Sequence, residues 1–277
     1  MTSRNRIDLR FGELRSEGRA GLITFVTAGD PDRATSQEIL RRLPDAGADL
    51  IELGIPFSDP MADGPAIQAS SMRALRGHQT LQRTLDMVAE FRIADQSTPV
   101  VLMGYFNPIY VFGVEKFAEA AALAGVDGLI VVDLPPEEAE ELLFPAQAAG
   151  LHVIFLAAPT TSDERLPKIL RHAGGFLYYV SITGVTGTRS PSVSKVTAAV
   201  QRIRRSTDLP IAVGFGINTA SQARAIAELA DAAVVGSALV TTLAEHLDAA
   251  GVVQPGLMNA VLGVVSSLAE AVRQARK

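Results

Sequence analysis

The sequence predicts an α/β fold in which eight parallel strands, each followed by a helix, close into a (βα)8 or TIM barrel with additional terminal helices. Three observations predict this fold. Eight short apolar runs recur along the chain, and segments with helical spacing of apolar residues separate them. No Pro- or Ser-rich linker divides the 277 residues, of which 48% are hydrophobic. Barrels of about 250 residues form one domain, whereas doubly wound sheets usually stop at about six strands, so we expect a single domain over residues 1–277.

The apolar runs predict the strands. They cover residues 22–28, 50–55, 100–105, 128–133, 152–158, 176–182, 211–216 and 232–239. Several runs are almost continuously apolar instead of alternating between apolar and polar residues. Strands that are covered on both faces have this pattern, which favours a parallel sheet between two layers of side chains.

Helical spacing predicts the layer outside the strands. Leu81, Leu85 and Val88 share one helical face, as do Phe117, Ala120, Leu123 and Ala124. The last segment does the same over a longer stretch, through Met258, Val261, Leu262, Val265, Leu268 and Val272. We therefore expect a C-terminal helix that packs on the outside of the barrel.

Composition excludes several classes of function. The formal net charge is −5 and the chain has only four lysines, without a basic stripe, so nucleic acid is not an expected partner. The chain has no cysteine, which excludes thiolate catalysis, Cys-ligated zinc and disulfides. The N-terminal 21 residues are charged and polar, and no run of about 18 apolar residues occurs, so we expect a cytoplasmic protein without membrane contact.

Polar residues at the C-terminal ends of the strands are the candidates for chemistry, because active sites of such barrels lie at that end. The candidates are Thr27, Asp30, Glu52, Tyr105, Asn107, Asp133, Thr160, Thr161, Ser181 and Thr183. None is lysine or histidine, which argues against a Schiff-base aldolase and against a metal-dependent one. The four histidines fall at a strand start or in helix and loop segments, so no metal site is expected.

Two carboxylates have the most informative surroundings. Glu52 lies inside the apolar run 50–55, where burial would adjust its pKa for proton exchange near neutral pH. The alternative is an ion pair at the strand end or a side chain that reaches water. Asp63 follows in residues 56–65, which hold three prolines and two aspartates, so a stiff loop could present it over the barrel mouth. An Asp-Gly turn with solvated carboxylates is the alternative there.

Glycines after the last two strands suggest a phosphate site. Gly214 to Gly216 end the seventh run, and Gly236 with Ser237 lie in the eighth, where backbone N–H groups of such barrels commonly bind phosphate. Tight turns without a ligand are the alternative. Residues 184–191 form a small, polar segment after the sixth run, which suits either an active-site lid or a plain surface loop.

The chain resembles the tryptophan synthase alpha subunits over nearly its whole length. The most specific motif is ELGIPFSDPMADGP at residues 52–65. Further similar motifs follow the order of that family, namely TFVTAGDP at 24–31, YYVS at 178–181 with GVTG at 184–187, VGFGI at 213–217 and VGSA at 235–238. The resemblance implies a lyase of tryptophan biosynthesis that cleaves indole-3-glycerol phosphate to indole and glyceraldehyde 3-phosphate.

The resemblance also implies roles for individual residues. Glu52 would transfer protons, and Asp63 would accept a hydrogen bond from the indole nitrogen while positive charge develops on the ring. The residues expected around the indole are Phe25, Met103, Tyr105, Tyr178 and Phe215, with Thr186 near Asp63. The residues expected to hold the phosphate are Gly187, Gly216, Gly236 and Ser237.

The family implies a partner and leaves two alternatives. The partner would be the beta subunit in an alpha2beta2 heterotetramer; the beta subunit would carry the pyridoxal phosphate, and this chain would carry no cofactor. Residues 54–65 and 104–113 are the expected contact surfaces, including Asn107, Pro108, Ile109 and Tyr110. One alternative is another phosphosugar barrel, such as an isomerase or indole-glycerol-phosphate synthase. The other is a non-catalytic regulatory barrel that only activates a beta-type partner.

Overall fold

The structure, a computed structural model, describes residues 5–181, 192–214 and 216–276. These residues form nine strands, twelve α-helices and one 3₁₀ helix at Pro136–Glu138. The strands are β1 (Gly21–Thr27), β2 (Leu50–Gly54), β3 (Val100–Gly104), β4 (Gly128–Val131), β5 (His152–Val153), β6 (Leu156–Ala157), β7 (Leu177–Val180), β8 (Ile211–Gly214) and β9 (Ala232–Val235). The helices are α1 (Arg6–Ser16), α2 (Arg33–Ala46), α3 (Pro65–Arg76), α4 (Leu81–Ala94), α5 (Phe106–Phe112), α6 (Val114–Ala124), α7 (Glu140–Ala148), α8 (Leu166–His172), α9 (Val193–Arg204), α10 (Ala220–Ala227), α11 (Ser237–Glu245) and α12 (Leu257–Arg273).

All strand pairs are parallel, and the sheet closes on itself through the segment 152–157. The strand order runs β5-β4-β3-β2-β1-β9-β8-β7-β6, so the two end strands, β5 and β6, are successive pieces of this one segment. The residues between them continue the pairing on both sides: the Ile154 N–H donates to Leu129 at 2.9 Å, and the Tyr178 N–H donates to Phe155 at 3.1 Å. The eight predicted runs are therefore eight barrel strands, the fifth in two pieces, and the predicted barrel is confirmed.

Alternate residues of the strands face two separate apolar layers. On β1, Ile23 and Phe25 belong to the cluster inside the barrel, whereas Leu22 and Val26 belong to the layer between strands and helices. All seven residues of β1 are buried. Burial on both faces explains why the runs in the sequence are nearly continuously apolar.

Helix α1 closes the N-terminal end of the barrel. Its Ile7, Phe11 and Leu14 join the inner cluster, and the Phe11 ring lies 5.6 Å from that of Phe176 at the start of the adjacent strand segment. Arg6 pairs with Asp127 at 2.9 Å, also at this end. The C-terminal ends of the strands are left as the open end.

Three aspartates fasten strand starts at the closed end. Asp49, Asp127 and Asp231 each directly precede a strand, and each accepts the backbone N–H of the first or second residue of the neighbouring strand at 2.8–2.9 Å. Each also pairs with arginine; Asp127 lies 2.7 Å from the buried Arg92. Asp49 and Asp127 are buried and Asp231 is half-buried, and carboxylates with such partners hold the register of the barrel at its closed end.

The helix predictions are confirmed with one correction. Leu85 and Val88 of α4 are buried, and α12 buries most of its predicted face. In α6, Phe117 and Ala124 face the core, but Leu123 is 91% exposed, and Ala121 occupies the buried position instead. The helix is rotated so that small alanines approach the neighbouring helices. No helix within the described ranges combines the length and apolarity needed to cross a bilayer.

Candidate active site

A pocket of about 510 Å³, part of it open to solvent, occupies the open end of the barrel. Its lining comes from strands, strand-to-helix loops and two helices: Phe25, Glu52, Asp63, Ile67, Met103, Tyr178, Gly216, Ile217, Val234, Gly236 and Ser237. Eight of the residues predicted for the site therefore border one cavity.

Glu52 projects into this pocket from the middle of β2. It is 1% exposed, lying in register with Phe25 on one side and Val101 on the other. Neither carboxyl oxygen has a hydrogen-bond partner among the described residues. Burial raises the pKa of Glu52 from 4.5 to about 8 because the charged form is poorly solvated there. The carboxyl group therefore holds a proton at neutral pH and releases it just above.

An unpartnered buried carboxyl group destabilises a fold, because burying a polar group without a hydrogen bond costs about 1–3 kcal/mol in proteins. Among the described residues no hydrogen-bond donor compensates Glu52, whose side chain lies among Phe25, Met103 and Tyr178 around the pocket. Strong pKa perturbation by burial in a cleft is a common feature of residues that handle protons. Of the alternatives left open by the sequence, the ion pair and the solvated side chain both disagree with this geometry.

The loop after β2 brings Asp63 to the same pocket. The Asp63 N–H donates to Pro60 at 3.1 Å, and the Gln68 side-chain amide donates to the Asp63 carbonyl at 2.8 Å, so the backbone is fixed on both sides. Burial raises the pKa of the Asp63 carboxyl to about 6, against the opposing effect of a hydrogen bond from Tyr105. Asp63 is therefore mostly ionised at neutral pH, in contrast to Glu52.

Tyr105 holds this loop in place. Its hydroxyl accepts the Ala62 N–H at 3.0 Å and donates to the Asp63 carboxylate, and its ring lies 5.2 Å from that of Phe57. Burial, followed by the nearby Asp63 charge, raises the pKa of Tyr105. Tyr105 lines an adjoining cavity of about 280 Å³ that shares Phe25, Asp63 and Met103 with the main pocket. Its direct contact is thus with the loop that carries Asp63.

The apolar wall includes three residues that sequence reasoning missed: Ile67, Ile217 and Val234. Val234 could have been found, because it lies two residues before Gly236, and alternate residues of a strand face the same side. Ile67 had no such signal. It is on α3, and only the packing of that helix against the barrel turns it towards the pocket.

One corner of the pocket is formed by backbone. Gly216 has a φ of +78°, which favours glycine, and Gly236 immediately precedes α11, whose first residue is Ser237. A side chain at Gly236 would lie 3.1 Å from Cβ of Phe25, so the backbone approaches closely. The first N–H groups of a helix have no partner within it and attract anions. No lysine or arginine is among the described residues that line the pocket.

Four predicted site residues, Thr183, Thr186, Gly187 and Phe215, lie outside the described residues, as does the candidate lid at 184–191. Within the described ranges, no group of three or more histidine, aspartate and glutamate side chains is arranged to hold a metal ion. His152 lies at the other end of the barrel, where its Nε2 is 3.0 Å from Asp8 of α1.

The fold and this site define a protein of the (βα)8-barrel class whose open end holds a buried carboxyl group in an apolar pocket beside a helix start. A family model described as tryptophan synthase alpha chain matches residues 11–261. The chain belongs to this family.

Solved structures agree with this assignment. The chain is 41% identical to tryptophan synthase subunit alpha from Legionella pneumophila str. Paris, with a TM-score of 0.90 over 98% of this chain and 99% of the other. It is 37% identical to a chain of Mycobacterium tuberculosis tryptophan synthase, with a TM-score of 0.88 over 98% and 99% of the two chains. A structure from Aquifex aeolicus VF5 matches at 35% identity and a TM-score of 0.87, covering 98% and 100%.

Family membership settles the reaction class. The family catalyses the lyase reaction that cleaves indole-3-glycerol phosphate in tryptophan biosynthesis, and this confirms the function predicted from the sequence. The isomerase and regulatory alternatives gain no support from any of these matches. Membership also implies a beta-subunit partner.

Proposed function

We propose that this chain cleaves indole-3-glycerol phosphate with Glu52 as the proton-transfer residue and Asp63 as the residue that stabilises charge on the indole ring. The observation that carries the proposal is the buried, unpartnered carboxyl group of Glu52, whose pKa of about 8 allows it both to give and to take a proton near neutral pH.

The proton balance of the reaction needs one group of this kind. Protonated Glu52 gives its proton to C3 of the indole ring, which turns the ring into a cation. The glycerol hydroxyl on the carbon attached to C3 then loses its proton to the Glu52 carboxylate. The bond between C3 and that carbon breaks, its electron pair returns to the ring, and the hydroxyl oxygen forms the aldehyde of glyceraldehyde 3-phosphate. Glu52 ends protonated, ready for another turnover.

Asp63 supports the cationic step. Because its pKa is about 6, it is ionised when Glu52 is still protonated, and a fixed carboxylate beside the ring nitrogen stabilises the developing positive charge. Tyr105 keeps the carboxylate in place through the contacts with Ala62 and Asp63. The different burial of the two carboxyl groups thus separates their roles.

Substrate binding uses the rest of the pocket. Phe25, Met103 and Tyr178 supply apolar contacts to the indole, and the backbone at Gly216, Gly236 and Ser237 supplies donors for the phosphate. Thr186, Gly187 and Phe215 belong to the same proposal through the resemblance to the family.

A beta subunit would bind at the rim of this pocket, within an alpha2beta2 assembly. The support is a set of exposed apolar side chains near the rim: Met61 is 85% exposed, Tyr110 60% and Val111 78%. Ile109, which we expected at this surface, is a residue of α5 that is 1% exposed and packs against the core, so it is not a contact candidate. Pyridoxal phosphate would belong to the partner, and the chain itself would work without a cofactor.

The test is to mix the purified chain with indole-3-glycerol phosphate, alone and with a beta subunit, and to measure indole and glyceraldehyde 3-phosphate. We expect both products in equal amounts, at a higher rate with the beta subunit. If neither product forms, with or without the beta subunit, the regulatory alternative is favoured. A matched control is Glu119→Gln, which changes an exposed carboxylate of α6 outside the expected contact surfaces at 54–65 and 104–113.

A further inference from the structure

Two polar contacts fasten α3 to the C-terminal end of β1 and the turn after it. Oγ1 of Thr27 lies 2.6 Å from Oγ of Ser70, which itself donates to the Ile67 carbonyl, so the threonine hydroxyl is the donor. Three residues along the helix, Arg73 forms a two-point contact with Asp30, with Nε and Nη2 at 2.7 and 2.8 Å from the two carboxylate oxygens. Thr27, Asp30 and Ser70 are all buried.

The turn that carries Asp30 is itself rigidly held. The Gly29 N–H donates to Oγ of Ser36 on α2 at 2.9 Å, and Gly29 has a φ of +81°. A side chain at Gly29 would lie 2.8 Å from that of Gln79, so the turn is also tightly packed. Asp30 is therefore a fixed point of the barrel rather than a mobile loop residue.

Helix α3 starts two residues after Asp63. Gly64 precedes the helix without any side-chain cap, and Pro65 is its first residue. Ile67, Ser70 and Arg73 are spaced three residues apart, so they lie on one face of the helix. On this face, Ile67 lines the pocket. Arg73 lies eight residues after Pro65, about 12 Å along the helix axis. A helix transmits a tilt or rotation at Arg73 to its start because it is stiff over this length.

We propose that Arg73 and Asp30 are positioning residues for Asp63, so that the two-point contact sets where the Asp63 carboxylate stands in the pocket. The inference rests on the role proposed above for Asp63. Tyr105 fixes the loop that carries Asp63 from the other side, and the contact between Arg73 and Asp30 fixes the helix that follows it. Guanidinium and carboxylate form a planar, two-point pair that an ammonium group cannot reproduce.

The first experiment is Arg73→Lys, which keeps the positive charge beside the buried Asp30 and loses the two-point geometry. We expect kcat for indole formation to fall between about tenfold and a hundredfold, as for small displacements of catalytic groups, while the circular dichroism spectrum is unchanged. Arg76→Lys, an exposed arginine on the same helix, is the matched control and keeps the wild-type rate. Ser70→Ala removes the other contact without touching a charge and gives a smaller loss in the same direction.

The decisive experiment repeats Arg73→Lys in an Asp63→Asn background. If Arg73 acts through Asp63, the second change lowers kcat little further, whereas a general structural role lowers it by the same factor in both backgrounds and overturns the proposal. If Asp63→Asn is too slow to assay, the Kd of indole-3-glycerol phosphate replaces kcat as the readout. Arg73→Lys and Asp63→Asn are then introduced singly and together into a chain that already carries Glu52→Gln. The single variant Asp63→Asn separates the two claims: wild-type activity there refutes the role of Asp63 itself, independently of Arg73.

Discussion

Replacing Glu52 by glutamine should change how stability depends on pH. In the folded chain the carboxyl keeps its proton up to about pH 8, whereas the unfolded chain releases it at its ordinary pKa of 4.5. Between these values the unfolded state binds fewer protons than the folded state, so the free energy of unfolding falls as pH rises. Glutamine has nearly the same shape and does not ionise, so Glu52→Gln lacks this loss.

The size of the effect follows from the pKa difference. One pKa unit corresponds to about 1.4 kcal/mol. A folded-state pKa of about 8 against 4.5 therefore makes wild type lose up to about 5 kcal/mol relative to Glu52→Gln once the pH exceeds about 8. Water that enters the pocket on ionisation reduces this figure, so we expect a few kcal/mol.

Calorimetry of both proteins from about pH 5 to about pH 9 measures this difference, since about 2–4 °C of thermal midpoint correspond to one kcal/mol in chains of this size. We expect Glu52→Gln to gain roughly 10 °C on wild type across the range. Asp59→Asn, on the exposed part of the next loop, controls for the loss of a carboxylate and should show no such trend. A constant gap between wild type and Glu52→Gln at all pH values would refute a raised pKa at this position.

Three further predictions follow from the same contacts. The pH profile of kcat/KM should rise through about pH 6 as Asp63 ionises and fall through about pH 8 as Glu52 loses its proton. Asp63→Asn should remove the rise at low pH and leave the fall at high pH. A profile of this variant that keeps both the rise and the fall contradicts the assignment. Tyr105→Phe should lower kcat/KM about tenfold by freeing the loop, with a stability loss of only about 1 kcal/mol, and an unchanged rate in steady-state assays would show that the hydroxyl positions nothing. Asp127→Ala should cost about 3–5 kcal/mol in thermal unfolding because it leaves the buried Arg92 unpaired, whereas activity at low temperature should persist; a stability loss below about 1 kcal/mol would contradict the role of this pair.

The barrel was predictable because its strands are buried on both faces. Burial leaves an apolar signature in β1, β2, β3, β4, β8 and β9, all of whose residues are buried, and the helical period marks the layer outside them. The pattern does not fix the rotation of a helix made largely of alanine, which is why Leu123 was grouped with Phe117 on one helical face and Ala121 was not. The single domain and the cytoplasmic location stay predictions.

The site was predictable where the chemistry of a side chain does not fit the sequence pattern around it. A carboxylate inside an apolar run, as at Glu52, is conspicuous in the sequence, and so is the stiff loop that carries Asp63. The contact between Arg73 and Asp30 left no such mark, because it joins residues on a helix and a turn whose approach depends on packing. Sequence patterns report burial and local stiffness, whereas contacts across the barrel mouth come only from the assembled fold.

The central claim is that Glu52 moves the proton between the hydroxyl group and the indole ring. Its most direct test is the single-turnover rate of indole release from indole-3-glycerol phosphate by wild type and Glu52→Gln, with the Kd of the substrate measured for both. We expect Glu52→Gln to bind the substrate within a few-fold of wild type and to release no indole above the uncatalysed rate. Release at a rate close to that of wild type would contradict the claim.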